Sequence, residues 1–389
     1  MSLKSHLRPG ALAAPESGIV SLVNYARNKP GLIPLWVGEG DMPTPAFIAQ
    51  AATQSLAAGE TFYTWQRGLP ELRQALATYT QNLYGFAQTP DRFFVTGSGM
   101  HAIHTVVTAL AGQCDELVYI GPLWPNFAAA ANLSQAQAIE VLLDQQDGAW
   151  HLDLDRLKAA ISPRTKAIFV NTPNNPTGWT ADVETLRGIL DIAREAGVFI
   201  IADEIYSRFY YAGGRAPSFH DVMTVDDAVI FVNSFSKNWA MTGWRVGWIE
   251  APAEFGDLIE NLVQYSTSGV AAFMQRAATA ALEEGEVFLK SQIERATKAR
   301  AIFCEALLAT NRVQLAMPSG AFYAFFAIDG VQNARAAAMR IVDEANVGLA
   351  PGGAFGNSAP NYMRACFHRR LDEVEEAADR LTGWIRRAL

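Results

Sequence analysis

The chain of 389 residues has little cysteine and little histidine. Its three cysteines, at positions 114, 304 and 366, are too few and too far apart for a disulfide framework or a cysteine metal motif. The six histidines show no metal-ligand spacing. His101 and His104 share a helix face, but no acid or cysteine accompanies them, so we expect both to be structural and predict no metal site.

Positive charge and long apolar runs are also scarce. The net charge is −8, which argues against nucleic acid or an anionic membrane surface as the main partner. No apolar run approaches the ~18 residues that a membrane span needs. The first residues lack the continuous apolar stretch of a secretory signal. We therefore predict a cytoplasmic protein that binds neither nucleic acid nor membrane.

Short apolar runs alternate with amphipathic segments between about residues 90 and 250. The runs are rich in Val, Ile and Phe and do not strictly alternate with polar residues, which is typical of strands buried on both faces. They predict an α/β domain with a mostly parallel sheet sandwiched by helices. The runs are FFVT (93–96), LVYI (117–120), AIFVN (167–171), VFIIAD (198–203), AVIFVNS (228–234) and WRVGWI (244–249).

The pattern changes after about residue 280. A long helical stretch (285–310) precedes strand-like and helical segments that predict a smaller α+β domain. These segments are AFYAFFAI, a helix near 334–345, VGLA, YMRACF and a helix near 371–388. We assign residues 46–285 to the large domain, and residues 1–45 and 286–389 to the small domain.

A lysine follows one of the predicted strands, in SFSKNWAMTGWRVGW (234–248). Ligands gather at the carboxyl ends of strands in open α/β sheets, and Lys237 is a residue type that forms a Schiff base with an aldehyde cofactor. Ser234, Ser236 and Arg245 together are suited to binding a phosphate. The alternative is a solvated lysine beside an arginine in a surface ion pair.

Two further polar segments follow predicted strands. In ADEIY, Asp203 ends a buried strand, where it either holds a protonated ring nitrogen or caps a helix. Tyr206 lies three residues later, within reach of a ring oxygen. The loop NTPNNPTG (171–178) is either a plain turn or a rigid support that aims Asn175 at a ligand oxygen.

A glycine-rich turn joins the first predicted strand to a helix at residues 93–110, and its free N–H groups suit an anion. The turn also matches the G-x-G-x-x-A pattern of dinucleotide-binding folds, starting at Gly97. The next strand ends at Gly121 rather than at the acid that such folds require. We therefore favour a monophosphate cup. A nicotinamide oxidoreductase remains an alternative only if Lys237 and Asp203 are coincidental.

Two larger side chains complete the set. Trp124, in GPLWPNF, either stacks on a flat ring or belongs to the core. Arg364 lies inside the apolar pattern NYMRACF, and a buried arginine needs an anionic partner. That partner is either a substrate carboxylate, which suits its bidentate fork, or an internal acid.

Together these segments resemble the class I/II aminotransferases of pyridoxal-phosphate fold type I, the aspartate aminotransferase-like superfamily. The resemblance keeps the order of the motifs and covers nearly the whole chain. It implies that Lys237 forms an internal aldimine with pyridoxal 5′-phosphate and then moves the substrate proton. It also implies that Asp203 pairs with the ring nitrogen, and that Tyr206 and Asn175 contact the ring oxygen.

The same resemblance implies the remaining contacts and a homodimer with shared active sites. At the phosphate, Met100 would contribute only its backbone N–H, because its side chain cannot donate a hydrogen bond. Tyr63 would reach the phosphate of the neighbouring subunit's cofactor. The implied phosphate ligands are Ser98, Gly99, Met100, Ser234, Ser236, Arg245 and Tyr63; Trp124 stacks on the ring; and Gly38, Trp124, Asn175 and Arg364 bind the substrate.

The implied reaction is a ping-pong transamination between an α-amino acid and a 2-oxo acid. The substrate stays open, since the arginine that marks one group of dicarboxylate-specific relatives aligns with Leu262, and Arg67 is a speculative substitute. A β-lyase that cleaves a C–S bond on the same scaffold is the alternative, because both activities use the same cofactor residues.

Overall fold

The computed structural model describes residues 3–12, 14, 16–356 and 358–388. Among these residues, no helix is both long enough and apolar enough to cross a membrane. The helices are α1 (Pro9–Leu12), α2 (Gly18–Ala26), α3 (Ala46–Ala57), α4 (Pro70–Tyr84), α5 (Gly99–Leu110), α6 (Asn126–Leu133), α7 (Leu154–Ala159), α8 (Val183–Ala196), α9 (Gly256–Ser266), α10 (Ala272–Glu284), α11 (Glu286–Leu308), α12 (Ala334–Ala345) and α13 (Leu371–Ala388). The strands are β1 (Ile33–Pro34), β2 (Phe93–Thr96), β3 (Glu116–Gly121), β4 (Gln137–Leu142), β5 (Asp144–Gln146), β6 (Ala149–His151), β7 (Thr165–Asn171), β8 (Phe199–Asp203), β9 (Val229–Ser234), β10 (Gly247–Glu250), β11 (Val313–Leu315), β12 (Tyr323–Ile328), β13 (Val347–Gly348), β14 (Ala350–Pro351) and β15 (Tyr362–Cys366).

In the described part of the chain, seven strands form a central sheet in the order β2-β10-β9-β8-β7-β3-β4. The pairs from β9 to β4 are parallel, whereas β10 runs antiparallel to both of its neighbours. Apolar clusters lie on both faces of this sheet, which is why its central strands read as continuous apolar runs. The predicted α/β class with a mostly parallel sheet is confirmed.

Two strand predictions need correction. The run 244–249 was expected to be one strand, but β10 begins only at Gly247. Residues Thr242–Trp244 form a 3-10 turn and Arg245 adopts a left-handed backbone with φ of 55°, so the chain bends before it enters the sheet. Strand β4 was not anticipated, because an edge strand is only half-buried and its sequence QAIEVL lacks a continuous apolar run.

The C-terminal part contains an antiparallel sheet in the order β11-β12-β15-β14, against which the long helix α11 packs, and helix α13 packs on α11 within the same apolar core. The N-terminal segment joins this part, since β1 pairs in parallel with β13. Leu22, Leu35 and Trp36 lie in the same apolar core as the C-terminal elements. We propose that this shared core is the smaller domain, with the boundaries predicted from the sequence.

Candidate active site

The carboxyl ends of three adjacent parallel strands meet at one edge of the central sheet. Asn171 ends β7, Asp203 ends β8 and Ser234 ends β9. A cavity of about 620 Å³, here called the main cavity, has all three in its walls. Open α/β sheets bind ligands at this edge, so the fold itself brings the candidate residues together.

Lys237 lies in the turn after β9, and its side chain points into the main cavity. Its Nζ donates a hydrogen bond to the carbonyl oxygen of Gly38 at 2.7 Å. Burial lowers the pKa of Lys237 to about 8, although Cys366 and Glu39 oppose that shift. The lysine is therefore neither solvated nor in a surface ion pair. A substantial fraction of its amine is uncharged near neutral pH and able to attack an aldehyde or accept a proton.

Asp203 is a buried carboxylate that faces the same cavity. Its Oδ1 accepts a hydrogen bond from the backbone N–H of Ile205 at 3.3 Å. Burial raises the pKa of Asp203 to about 7, against the lowering effects of the Ile205 N–H and the Lys237 charge. A buried acid in this state gains most from a ligand that brings a cationic N–H group to it.

Two buried tyrosines lie next to these groups. The hydroxyl of Tyr206 is 2.8 Å from the hydroxyl of Tyr323, and burial raises the pKa of both. The sequence reasoning missed Tyr323, which stands in the aromatic run of β12 without any motif to mark it. A Cβ at Gly38 would collide with the Tyr323 hydroxyl, so this close approach explains the glycine.

Asn175 and Arg364 come from opposite ends of the sequence and meet in the main cavity. Asn175 Oδ1 accepts a hydrogen bond from Arg364 Nη1 at 2.9 Å, and the carbonyl oxygen of Trp36 accepts one from Nη2. Among the described residues, no acid pairs with Arg364 and its Nε has no hydrogen-bond partner. The expected alternative of an internal salt bridge is therefore absent there, and the guanidinium is free to bind an anionic ligand.

A supporting network fixes the loop that carries Asn175. Asn171 Oδ1 accepts a hydrogen bond from the Asn175 backbone N–H at 2.8 Å, and Asn171 Nδ2 donates one to the carbonyl oxygen of Asp203. The sequence reasoning did not single out Asn171. Its only signal was its position, as the last residue of a buried strand beside a candidate loop.

Several hydrogen-bond donors meet at one end of the main cavity, where the sequence predicts a phosphate cup. The backbone of Gly99 begins α5 there, so the free N–H groups of its first turn point at the cavity. Arg245 also lines the cavity, and its Nη1 donates to the carbonyl oxygen of Thr242 at 2.6 Å. The hydroxyls of Ser234 and Ser236 lie 2.9 Å apart. Met100 lines the same end with an apolar side chain.

Ser98 differs from its neighbours in the cup. Its Oγ caps helix α5 by accepting a hydrogen bond from the His101 N–H at 3.0 Å, and it is not part of the cavity wall. A direct phosphate contact from Ser98 stays a prediction. His101 holds the same turn, since its Nδ1 accepts from the Gly97 N–H, which fits the expected structural role.

Trp124 lies on the wall of the main cavity, where it is partly buried and packs against one of the apolar clusters of the sheet. Its backbone N–H donates to the carbonyl oxygen of Asn175 at 2.9 Å. This bond links the tryptophan to the loop that contacts Arg364. The indole ring is thus held beside the cavity, where a flat ligand has room to stack.

Two residues predicted near the site lie elsewhere in this chain. Tyr63 is 92% exposed and does not line the main cavity of its own subunit. Arg67 pairs with Asp257 and Glu260, each at 2.6 Å, so its charge is already compensated. A role of Arg67 as a reader of a substrate carboxylate stays a prediction, and it would require Arg67 to exchange these two acids for the substrate.

The chain matches known proteins over nearly its whole length. The family described as aminotransferase class I and II matches residues 30–381. An aspartate aminotransferase of Pyrococcus horikoshii is 31% identical over 373 residues, which cover 95% of each chain. An aspartate/prephenate aminotransferase of Thermus thermophilus is 30% identical over 385 residues, 98% of this chain and 97% of that protein.

Solved structures give the same result. An alanine aminotransferase from Pyrococcus furiosus superposes with a TM-score of 0.92 at 29% identity, over 98% of this chain and 99% of the other. Because the superposition covers nearly all of both chains, it includes the large and the small sheet of this protein. This chain belongs to aminotransferase class I and II and is a transaminase.

Proposed function

We propose that this enzyme exchanges the amino group of an α-amino acid for the oxo group of a 2-oxo acid, with pyridoxal 5′-phosphate bound in the main cavity. One observation carries the proposal. Three groups of complementary chemistry face one cavity: the partly buried Lys237 amine, the buried Asp203 carboxylate and the buried Arg364 guanidinium. Among the described residues, none of the three forms an ion pair within 4 Å.

The residues in the cavity fit that cofactor group by group. Asp203 is a buried acid without a cationic partner, and it would hold the protonated ring nitrogen. Arg245, Ser234, Ser236 and the first turn of α5 would hold the phosphate, with Trp124 against the ring face. When bound, pyridoxal phosphate supplies an electron sink that stabilises negative charge at the substrate α-carbon.

Arg364 would bind the α-carboxylate of the substrate. Its Nη1 already donates to Asn175, and the rings of Tyr323 and Phe355 lie 4.6 and 4.9 Å from its Cζ. These contacts fix the orientation of the guanidinium before the substrate arrives, which lowers the cost of binding. The carboxylate then holds the α-carbon at a defined position in front of Lys237.

Lys237 would accept the proton of the substrate α-carbon and deliver it to C4′, the aldehyde carbon of the cofactor. Its Nζ is held by the Gly38 carbonyl at 2.7 Å and has a pKa of about 8, so it exchanges a proton readily near neutral pH. A positioned general base of this kind accelerates a reaction by about 10²–10⁴-fold. The side chain of Tyr206 would support the cofactor's ring oxygen.

The amino donor is proposed only as a class. The similar proteins are named as aminotransferases of aspartate, prephenate, alanine or aromatic amino acids, so sequence similarity does not identify one substrate. We further propose that the enzyme works in the cytoplasm, where its free cysteines stay reduced.

We also propose a homodimer in which Tyr63 completes the partner's site. Phe62, Tyr63, Trp65 and Tyr265 leave their aromatic side chains exposed. The segment that carries the first three lies beside the loop after α9, since Thr64 Oγ1 donates to the carbonyl oxygen of Val270 at 2.7 Å. Such an exposed aromatic patch favours a protein–protein contact.

The test is a half-reaction that is monitored through the absorbance of the cofactor. The enzyme loaded with pyridoxal phosphate should show one absorbance change with an amino acid and then stop until a 2-oxo acid is added. Lys237→Ala should lose both the cofactor absorbance typical of the wild type and turnover. Arg364→Ala should keep that absorbance and lose about 2 kcal/mol of substrate binding, about 30-fold in kcat/KM.

Two results would contradict the proposal. Sustained release of pyruvate, ammonia and thiol from an amino acid alone would show a β-lyase. Full activity in Lys237→Ala would remove the central role of the lysine. Arg364→Lys is the matched control for Arg364→Ala, because lysine keeps the positive charge but lacks the bidentate fork of arginine.

A further inference from the structure

A second cavity of about 730 Å³, here called the side groove, opens next to the main cavity. The two share Ser17, Leu123, Trp124 and Asn126 in their walls, so they lie directly side by side. Phe355 lines the side groove, and its ring lies 4.9 Å from the Cζ of Arg364. A molecule held at Arg364 by its carboxylate therefore has room to extend into the side groove.

Glu140 provides the acidic group in the wall of the side groove. It stands on the edge strand β4, and its carboxylate lies against two glycines. A Cβ at Gly121 would collide with Oε1, and a Cβ at Gly356 would lie 2.9 Å from it. Both glycines thus leave space that the carboxylate fills. Among the described residues, Oε1 is buried and has no hydrogen-bond donor.

Glu140 has no ion pair within the described part of the chain, and the hydrogen bond that lowers its pKa comes from the neutral side chain of Tyr119. Burial raises the pKa of Glu140, which is the expected result for a desolvated acid without a cationic partner. Glu16 and Arg335 are the other charged groups of the side groove, and both are exposed. A solvated charge at the rim does little to stabilise a buried carboxylate.

We propose that the side groove binds the side chain of a long amino-acid substrate whose distal ammonium or guanidinium group pairs with Glu140. The inference rests on the proposed function, since it extends the same site from the α-carboxylate at Arg364. A cation fits better than a neutral donor, because only a cation compensates the buried charge. The aromatic rings of Trp124 and Phe355 would pack against the aliphatic part of such a side chain.

The experiment compares amino donors by kcat/KM with the enzyme loaded with pyridoxal phosphate. L-Ornithine, L-lysine and L-arginine carry the distal cation, L-norleucine and L-glutamine are neutral, and L-alanine is short. At least one cationic donor should exceed norleucine and glutamine at least tenfold. Glu140→Gln should lower the ratio of that donor to alanine at least tenfold. Glu283→Gln, an exposed acid outside both cavities, should change the ratio less than twofold.

The outcomes separate this inference from the proposed function. A wild type that prefers norleucine or glutamine to every cationic donor overturns the inference. It is also overturned if Glu140→Gln lowers the values for alanine and for the cationic donor by the same factor, since Glu140 would then be structural. If no amino acid at all changes the cofactor absorbance, the proposed function itself fails.

Discussion

Burial controls the protonation of the two groups that matter most at the scale of single residues. It raises the pKa of Asp203 to about 7 and lowers that of Lys237 to about 8. In water the two groups ionise more than six pH units apart. Burial in the main cavity therefore brings the pKa values of the two groups much closer together.

The lowered pKa of Lys237 predicts how the rate of pyridoxal phosphate binding to the cofactor-free enzyme depends on pH. Only the uncharged Lys237 amine attacks the aldehyde, so the rate should rise with pH and level off above about 8, instead of rising up to the ordinary lysine value of 10.5. Stopped-flow absorbance between pH 6 and 10 measures the profile. A midpoint near 10.5 would contradict the burial of Nζ. Free N-acetyl-lysine serves as the unburied control.

At the scale of elements, local signals placed helices better than strands. Helix α8 runs over Val183–Ala196, between the Asp182 side chain, which accepts from the Thr185 N–H at 2.7 Å, and Gly197 in the left-handed region. Gly197 ends this helix as its C-cap, because its φ of 65° lies in the region that glycine adopts without strain. Strand ends were less certain, as at Gly247, because they depend on which neighbour the backbone pairs with.

Gly197→Ala should destabilise the protein by about 1 kcal/mol, because alanine is strained at the φ of 65° that the cap requires. The added Cβ meets no atom within 4 Å, so no steric clash adds to that loss. Urea unfolding measures the change, and kcat should stay the same. Gly112→Ala is the matched control, since Gly112 also has open space but no positive φ. An equal loss in both variants would contradict the backbone explanation.

At the scale of the whole molecule, the position of Tyr63 decides how many chains make one site. Its side chain is 92% exposed, on a surface that carries other exposed aromatic side chains. A residue with a cofactor role in that position is able to act only on another subunit. The proposed homodimer would account both for the exposed aromatic patch and for a cofactor role of Tyr63.

Mixed dimers test this arrangement directly. Lys237→Ala and Tyr63→Ala should each be impaired alone. In a mixed dimer, one site combines an intact Lys237 with the intact Tyr63 of the other chain, so mixing should restore activity toward a quarter of the wild type at statistical exchange. No gain on mixing, with exchange verified by mass spectrometry, would contradict a shared site. Val287→Ala, exposed on α11, is the control that should not need complementation.

The sequence by itself determined the α/β class and the order of the motifs, and through its resemblance to the class I/II aminotransferases it predicted Lys237, Asp203, Asn175 and Arg364 as a set. This was possible because each of these residues follows or interrupts an apolar strand, and a run of apolar residues indicates by itself that a strand is buried. Only the tertiary structure decided that Tyr323 faces Tyr206, that Arg67 is already paired and that Glu140 borders the side groove. Those contacts join residues far apart in the chain, and no local pattern records which side chains the folded core brings together.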